Sequence, residues 1–163
     1  MIKKNNLKNQ LKDFETSLEL AEIKVSYKSK QREKVKVASS RDAFDILYHI
    51  YNMDTIEYQE QFFMLLLNRV NHVLGWVKIS MGGTAGTVVD PKIVFSLALQ
   101  TNAHGIILSH NHPSGNLRPS DNDINLTKKL IASASLLEIK LLDHIIVAPE
   151  GAYYSFADEG NLF

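Results

Sequence analysis

One stretch of the chain, residues 104–123, constrains the fold more than any other; it reads HGIILSHNHPSGNLRPSDND. Its apolar first half is typical of a short buried strand. Pro113 cannot continue a strand ladder, and with Ser114 and Gly115 it favours a turn. Ser120 then stands where a helix begins, as an N-cap before a segment with apolar residues at helical spacing. The stretch therefore predicts a buried strand that turns back into a helix.

Helical and strand-like segments are interleaved along the rest of the chain. Apolar residues at helical spacing predict a helix capped by Ser40, a helix with Pro91 in its first turn, and a helix over about Asp121 to Leu137. The hydrophobic pattern predicts strands at 18–27, 35–37, 62–68, 73–80, 104–110, 139–149 and within GAYYSF at 151–156. The strands at 62–68 and 73–80 are predicted to pair as a hairpin. This order predicts an α/β (α+β) fold with a single mixed β-sheet flanked by helices.

Composition excludes several classes of protein and site. The chain has no cysteine, which excludes disulfides and leaves nitrogen and oxygen as the only metal ligands. Its longest apolar run, Phe62 to Leu67, is far shorter than the roughly 20 residues that a membrane helix needs. The N-terminal residues are charged and lack the apolar core of a secretory signal. We therefore expect a cytoplasmic protein with no membrane partner.

Charge is concentrated at the N-terminus, although the formal net charge of the chain is zero. Residues 1–36 hold ten of the 18 Lys and Arg and five of the 18 Asp and Glu. We interpret residues 1–37 as a basic N-terminal arm. Such an arm could bind DNA, but a run of charge is also typical of a plain solvated segment.

Two histidines and nearby aspartates in the same stretch suggest a metal site. Residues two apart in an extended chain face the same side, so His110 and His112 can point at one atom. Asp123 lies in the first turn of the predicted helix, and two histidines with one carboxylate are a suitable ligand set for Zn²⁺. Asp121 could serve instead of Asp123. Alternatively the stretch is only a polar turn, because Ser120 and Asp123 also have the spacing of a capping box.

The phrases HNHPSG and PSDND together resemble the JAMM metalloprotease motif, in which His-x-His is followed after seven residues by Ser and after two more by Asp. Together with DHIIV and YSF downstream, this sequence resembles the RadC-like branch of the JAB/MPN domains. The resemblance covers about residues 38–163. It implies a cytidine-deaminase-like sandwich and a zinc ion held by His110, His112 and Asp123 rather than Asp121.

The resemblance also implies roles for residues outside the ligand set. The family has a glutamate before a core strand, and YQEQFFMLLLN fits that place. Glu60 is therefore the candidate general base, with Glu57 as its competitor. Ser120 would donate a hydrogen bond to the oxyanion of the intermediate. Asp143, within the DH pair, either orients a ligand histidine or forms a buried, satisfied polar pair with His144.

The function implied is a zinc-dependent hydrolase, a metallopeptidase or isopeptidase that acts through activated water on a peptide or isopeptide substrate. The alternative is a DNA-associated accessory protein or a metal-dependent nuclease, since the RadC-like family is associated with DNA repair. Two departures bear on this. The family's Pro-Arg-Glu reads Pro91-Lys92-Ile93 here, and residues 1–37 show no helix-hairpin-helix pattern. A DNA role is therefore not transferred from the family. Four further histidines, His49, His72, His104 and His144, remain possible ligands or bases. Asn111 and Ser114 are predicted to shape the ligand loop, and 82–86 is predicted to be a plain turn.

Overall fold

The computed structural model describes residues 35–82 and 88–160, which contain three helices and five strands. In chain order these are α1 (Ser40–Ile50), β1 (Gln61–Leu67), β2 (Val73–Met81), α2 (Pro91–Gln100), β3 (Gly105–Asn111), α3 (Asp121–Leu136), β4 (Lys140–Val147) and β5 (Tyr153–Ser155). The predicted strand at 18–27, nearly all of the predicted N-terminal arm and all but Gly82 of the 82–86 turn lie outside the described residues.

The strands form one mixed sheet in the order β2-β1-β3-β4-β5, which confirms the predicted fold class. β1 is antiparallel to both β2 and β3, so the predicted hairpin is also confirmed. β3 and β4 are parallel, with α3 as the crossover between them, and β5 is antiparallel to β4. This crossover brings the first turn of α3 to the carboxyl end of β3.

Alternation along the strands divides the core into two layers, one on each face of the sheet. α1 covers one face, where alternate residues of β1 such as Phe63 and Leu65 are buried. α2 and α3 cover the other face, where Phe62 and Met64 of the same strand are buried. β1 and β3 are buried along their whole length because helices cover both sides. Successive residues of a central strand therefore lie in different chemical surroundings.

Two predicted boundaries were wrong. α1 is capped by Ser39, not by Ser40, because the Ser39 hydroxyl accepts a hydrogen bond from the Asp42 amide while the Asp42 carboxylate accepts one from the Ser39 amide. The predicted strand at 35–37 is only an isolated bridge between Lys36 and His72. Pro91 does begin α2, and Ser120 does cap α3, as predicted. No helix in the described part of the chain is long and apolar enough to cross a membrane.

Candidate metal centre

Three chain segments meet at one end of the sheet. His110 lies near the carboxyl end of β3, His112 directly follows that strand, and Asp123 lies in the first turn of α3. The antiparallel register sets Phe62 of β1 opposite His110. Glu60 is two residues before Phe62, and His112 is two residues after His110. If the antiparallel register is continued, Glu60 therefore lies opposite His112. The topology thus gathers residues that are far apart in the sequence.

His110, His112 and Asp123 form the one group of three candidate ligands found among the described residues, with ligand atoms all within 4.8 Å of one another. The Nε2 atoms of the two histidines are 3.0 Å apart. Asp123 Oδ1 is 3.2 Å from His110 Nε2, and Asp123 Oδ2 is 3.6 Å from His112 Nε2. Zinc bonds of 2.0–2.2 Å in a tetrahedron give ligand–ligand separations of about 3.3–3.6 Å. The three separations, 3.0, 3.2 and 3.6 Å, are close to that range, two of them slightly below it, so a zinc ion would need the side chains to move apart by a few tenths of an ångström.

The protonation of His112 also suits a metal ligand. Its Nδ1 lies within hydrogen-bond distance of the carbonyl oxygen of Asn116. A carbonyl oxygen can only accept, so Nδ1 carries a proton. Nε2, which can bind either a proton or a metal ion, faces His110 Nε2 and the Asp123 carboxylate. The three groups that face one another favour a cation among them, either a proton or a metal ion.

Asp123 is held in place by the start of its own helix. Its Oδ2 accepts hydrogen bonds from the Ser120 amide at 2.8 Å and from the Ser120 hydroxyl at 2.6 Å. The Ser120 oxygen in turn accepts from the Asp123 amide, which completes the capping box. The capping box and the ligand cluster use the same residues, so the two interpretations of the sequence are not alternatives. Oδ1 remains directed at His110.

A chain of buried hydrogen bonds continues behind His110. Its Nδ1 is 2.9 Å from His144 Nε2, on β4. The other ring nitrogen of His144, Nδ1, is 2.7 Å from the hydroxyl of Thr127, on α3. That hydroxyl lies 2.6 Å from the carbonyl oxygen of Asp123. The sequence had suggested His144 as a ligand or base, but it contacts His110 from behind and is not in the ligand cluster.

The pKa values of the cluster are shifted by burial and by the contacts among its members. Burial raises the pKa of the Asp123 carboxyl, but hydrogen bonds from His110 and His112 outweigh burial and hold that pKa well below its usual range. Burial lowers the pKa of His112, whereas its hydrogen bonds to Asp123 and the Asn116 carbonyl outweigh burial and raise it. Burial keeps the pKa of His144 well below 6.5, so that ring is neutral. The cluster therefore contains an ionised carboxylate.

Glu60 and Glu57 differ in position. Glu60 is half-buried and lines a cavity of about 270 Å³ together with Phe62, Asp123 and Leu126. Its charge contributes to raising the pKa of His112, so the two side chains are close enough to interact. Glu57 is exposed and does not line this cavity.

Asn111 shapes a different segment from the one predicted. Its side chain is fully buried, and its Oδ1 accepts from the Gln61 amide at 2.7 Å. Its Nδ2 donates to the carbonyl oxygens of Ile56 at 2.6 Å and Gln59 at 3.0 Å. Asn111 thus fixes the segment before β1, which contains Glu60. Ser114 does lie in the ligand loop, where its hydroxyl accepts a hydrogen bond from the Asn116 amide at 3.4 Å.

Asp143 does not orient a ligand histidine. Adjacent residues of a strand face opposite sides of the sheet, so Asp143 faces α1 while His144 faces α3. The Asp143 carboxylate accepts from the amides of His144 and Ala157 and from the Ser155 hydroxyl. The carboxylate is therefore buried and satisfied, as the alternative interpretation expected, but it does not pair with the His144 side chain. Within the described residues, His49, His72 and His104 belong to no cluster of candidate ligands.

Comparison with known proteins identifies the family of the chain. A family model for the RadC-like JAB domain matches residues 37–161. A UPF0758 protein of Flavobacterium johnsoniae is 46% identical over 125 residues, which are 77% of this chain and 53% of that protein. UPF0758 proteins of Trichodesmium erythraeum and Aquifex aeolicus are 40% and 34% identical over 84% and 80% of this chain and 55% and 54% of their own lengths. The chain spans about half the length of the curated relatives it matches.

Proposed function

The chain belongs to the RadC-like JAB domain family, and on that premise we propose that it is a zinc-dependent hydrolase that cleaves peptide or isopeptide bonds. The observation that carries the proposal is the cluster of His110, His112 and Asp123, whose ligand atoms lie within 4.8 Å of one another and face a common point. Three protein ligands leave a fourth position for water, which is typical of catalytic rather than structural zinc.

These three residues would hold the zinc ion, with Nε2 of each histidine and a carboxylate oxygen of Asp123 as donors. When bound in such a site, zinc lowers the pKa of a coordinated water toward about 7 and polarises a substrate carbonyl. The capping hydrogen bonds from Ser120 keep the carboxylate turned toward the histidines. Because both capping donors bond to Oδ2, Oδ1 keeps its lone pairs for the ion.

Glu60 is the proposed general base. A carboxylate at this position could take a proton from water and deliver it to the departing amine. Its support is that Glu60 lines the same cavity as Asp123 and interacts electrostatically with His112. The rest of that cavity is lined by Phe62, Val88, Val89, Asn122 and Leu126, so most of the surroundings of the proposed proton transfer are apolar.

Ser120 is the proposed donor to the oxyanion, and its hydrogen bonds set a condition on that role. Its single hydroxyl proton is directed at Asp123 Oδ2, so an oxyanion must compete with the carboxylate for it. The Ser120 amide donates to the same oxygen at 2.8 Å. The carboxylate therefore keeps one capping bond when the hydroxyl turns to substrate, and Asp123 stays in position during the reaction.

Matched variants test the zinc site. We expect one zinc per chain in the wild type, and a large loss of affinity in Asp123→Asn measured by competition with a chelator. Asp121→Asn is the control, since Asp121 is an exposed acidic residue in the same helical turn and its loss leaves the cluster intact. Equal zinc affinity in the two variants would refute the ligand assignment.

A second matched pair tests the chemistry. Glu60→Gln should abolish hydrolysis and retain zinc, whereas Glu57→Gln should retain both. A panel of peptide, isopeptide and nucleic-acid substrates distinguishes the proposed hydrolase from a nuclease that uses the same activated water. Hydrolysis that survives in Glu60→Gln would exclude Glu60 as the base.

DNA binding through residues 1–37 remains a separate hypothesis within this proposal. Lysine and arginine contacts to phosphates release counterions, so such binding should weaken steeply as salt rises. Deletion of residues 1–36 should abolish it. DNA affinity that is unchanged by the deletion would remove the sequence support for this partner.

A further inference from the structure

We propose that the substrate is a peptide that inserts an uncharged, apolar side chain into the cavity beside Asp123, and that Asn122 binds the peptide backbone next to it. This inference rests on the proposed function, because the cavity is also lined by Glu60, the candidate base. It assigns a specificity-determining site to the space between the start of β1, the residues before α2, and α3.

The lining of the cavity is mostly apolar. Phe62 belongs to the buried core on the α2 and α3 face of the sheet, and Val89 and Leu126 pack against that core. Val88 lines the cavity as well, yet 88% of it is exposed. An apolar side chain that enters would cover this surface and would itself leave water, which is favourable in proportion to the apolar area buried.

The size and charge of the cavity limit what can enter. Its volume of about 270 Å³ is just below the roughly 300–1,000 Å³ of pockets that enclose a drug-sized molecule. It therefore has room for one side chain and the adjoining backbone. An acidic side chain would meet the carboxylates of Glu60 and Asp123, so we expect an uncharged one.

Asn122 lies where a peptide backbone could be held. It is an exposed residue in the first turn of α3 and lines the cavity. Leu126 is four residues after Asn122 and three after Asp123, so the three side chains are neighbours on the helix surface. A carboxamide both donates and accepts hydrogen bonds, as the C=O and N–H groups of a peptide require. Asn122 can thus fix the backbone while the side chain of the substrate contacts Leu126.

The same lining is poorly suited to a nucleic acid. The described residues that line the cavity include no lysine, arginine or histidine. Sites for single-stranded nucleic acids combine basic groups with aromatic rings on which the bases stack. Phe62 is the one aromatic residue among the described lining residues, but it is 1% exposed, and its ring stacks on His110 with centroids 6.0 Å apart. The cavity therefore favours a peptide over a phosphodiester.

The test uses the full chain with zinc and three capped pentapeptides of glycine whose central residue is leucine, asparagine or glycine. Asparagine is close to leucine in shape but polar, so the comparison isolates apolar burial. Two-dimensional NMR follows the backbone amides while each peptide is added. We expect the leucine peptide to shift the amides of Val89, Asn122 and Leu126. It should bind about 10-fold more tightly than the other two, the lower end of what burial of a leucine side chain gives.

Variants separate the two parts of the site. Val88→Asp changes an exposed residue, so the fold should be retained while the preference for the leucine peptide is lost. Asn122→Ala should weaken all three peptides by the same factor, because they share one backbone. Leu136→Ala is the control, since Leu136 lies on the same helix, is 87% exposed and does not line the cavity.

Cleavage of the peptides is recorded in the same samples. A chain that binds the leucine peptide in the cavity but cleaves no peptide would refute the proposed function and support this inference. A chain that cleaves peptides but binds the three with equal affinity, or whose cavity amides do not shift, would overturn the inference and leave the proposed function intact. A thymidine dinucleotide that binds in the cavity more tightly than the leucine peptide would also overturn it.

Discussion

Replacing Asn111 by alanine should separate the position of the candidate base from the binding of metal. Asn111 makes three hydrogen bonds to the backbone of residues 56–61, two of them through Nδ2 and one through Oδ1. The residue is fully buried, so the three backbone groups would lose their partners away from water. At about 1 kcal/mol net for each bond, the variant should lose roughly 3 kcal/mol of unfolding free energy.

This loss is measurable by urea denaturation and corresponds to a fall of roughly 10 °C in Tm for a domain of this size. Zinc affinity should change only a few-fold, because Asn111 bonds to none of the three candidate ligands. Hydrolysis should fall much further, because Glu60 lies within the segment that Asn111 fixes. We therefore expect Asn111→Ala to retain the zinc site while Glu60, the candidate base, is displaced.

The control is Asn68→Ala. Asn68 also bonds to backbone amides, those of Val70 and His72, but it does so in the turn between β1 and β2. It should alter neither zinc binding nor hydrolysis. An unfolding free energy for Asn111→Ala within 1 kcal/mol of the wild type would contradict the estimate of about 1 kcal/mol per bond. A loss of zinc affinity as large as the loss of hydrolysis would show that Asn111 acts on the ligands instead.

Three further predictions concern stability in urea. Burial raises the pKa of Asp143 above 3.8, so the folded protein binds more protons than the unfolded chain. The stability of the wild type relative to Asp143→Asn should therefore fall as the pH rises above 3.8. A relative stability that does not change with pH would indicate a normal pKa. Gly115→Ala should lose roughly 1–2 kcal/mol, because φ is +74° and its Cβ would lie 3.0 Å from Glu150; Gly75→Ala, in open space, is the control. Ser39→Ala should lose about 1 kcal/mol as an N-cap, and an unchanged midpoint would argue against that cap.

The elements of the fold could be predicted where the signal was local. Apolar runs and alternation identified β1 to β4, and Pro91 and Ser120 marked two helix starts. The misplaced cap of α1 was also within reach of the sequence. Counting three residues from Ser39 gives Asp42, which can return a hydrogen bond, whereas counting from Ser40 gives Ala43, which cannot. The prediction of a strand at 35–37 was wrong because the length of a strand depends on its pairing partner. Here Lys36 forms a single bridge to His72, which is far away in the sequence.

In the candidate site too, local contacts could be predicted from the sequence and long-range contacts could not. His110, His112 and Asp123 lie within one strand–turn–helix unit, so their spacing suggested that the two histidines could meet an aspartate, and the family resemblance selected Asp123 rather than Asp121. The partnership of His144 with His110 depends on the register between β3 and β4, which no local pattern reveals. The alternation rule could nevertheless have shown that only one of Asp143 and His144 reaches the metal side, because neighbours in a strand face opposite ways.

The order of the DH pair follows from this alternation. In the observed register His144 faces α3 and meets Thr127, while Asp143 faces α1 and satisfies two backbone amides and the Ser155 hydroxyl. A slip of β4 by one residue would exchange the two faces. The carboxylate would then stand behind His110, and the imidazole would stand where three donors need an acceptor. Only the carboxylate can accept three hydrogen bonds on one face, and only the imidazole can pass a bond from one nitrogen to the other. The same dipeptide therefore places an acceptor for three donors on the α1 face of the sheet and a hydrogen-bond partner for the candidate ligand His110 on the α3 face.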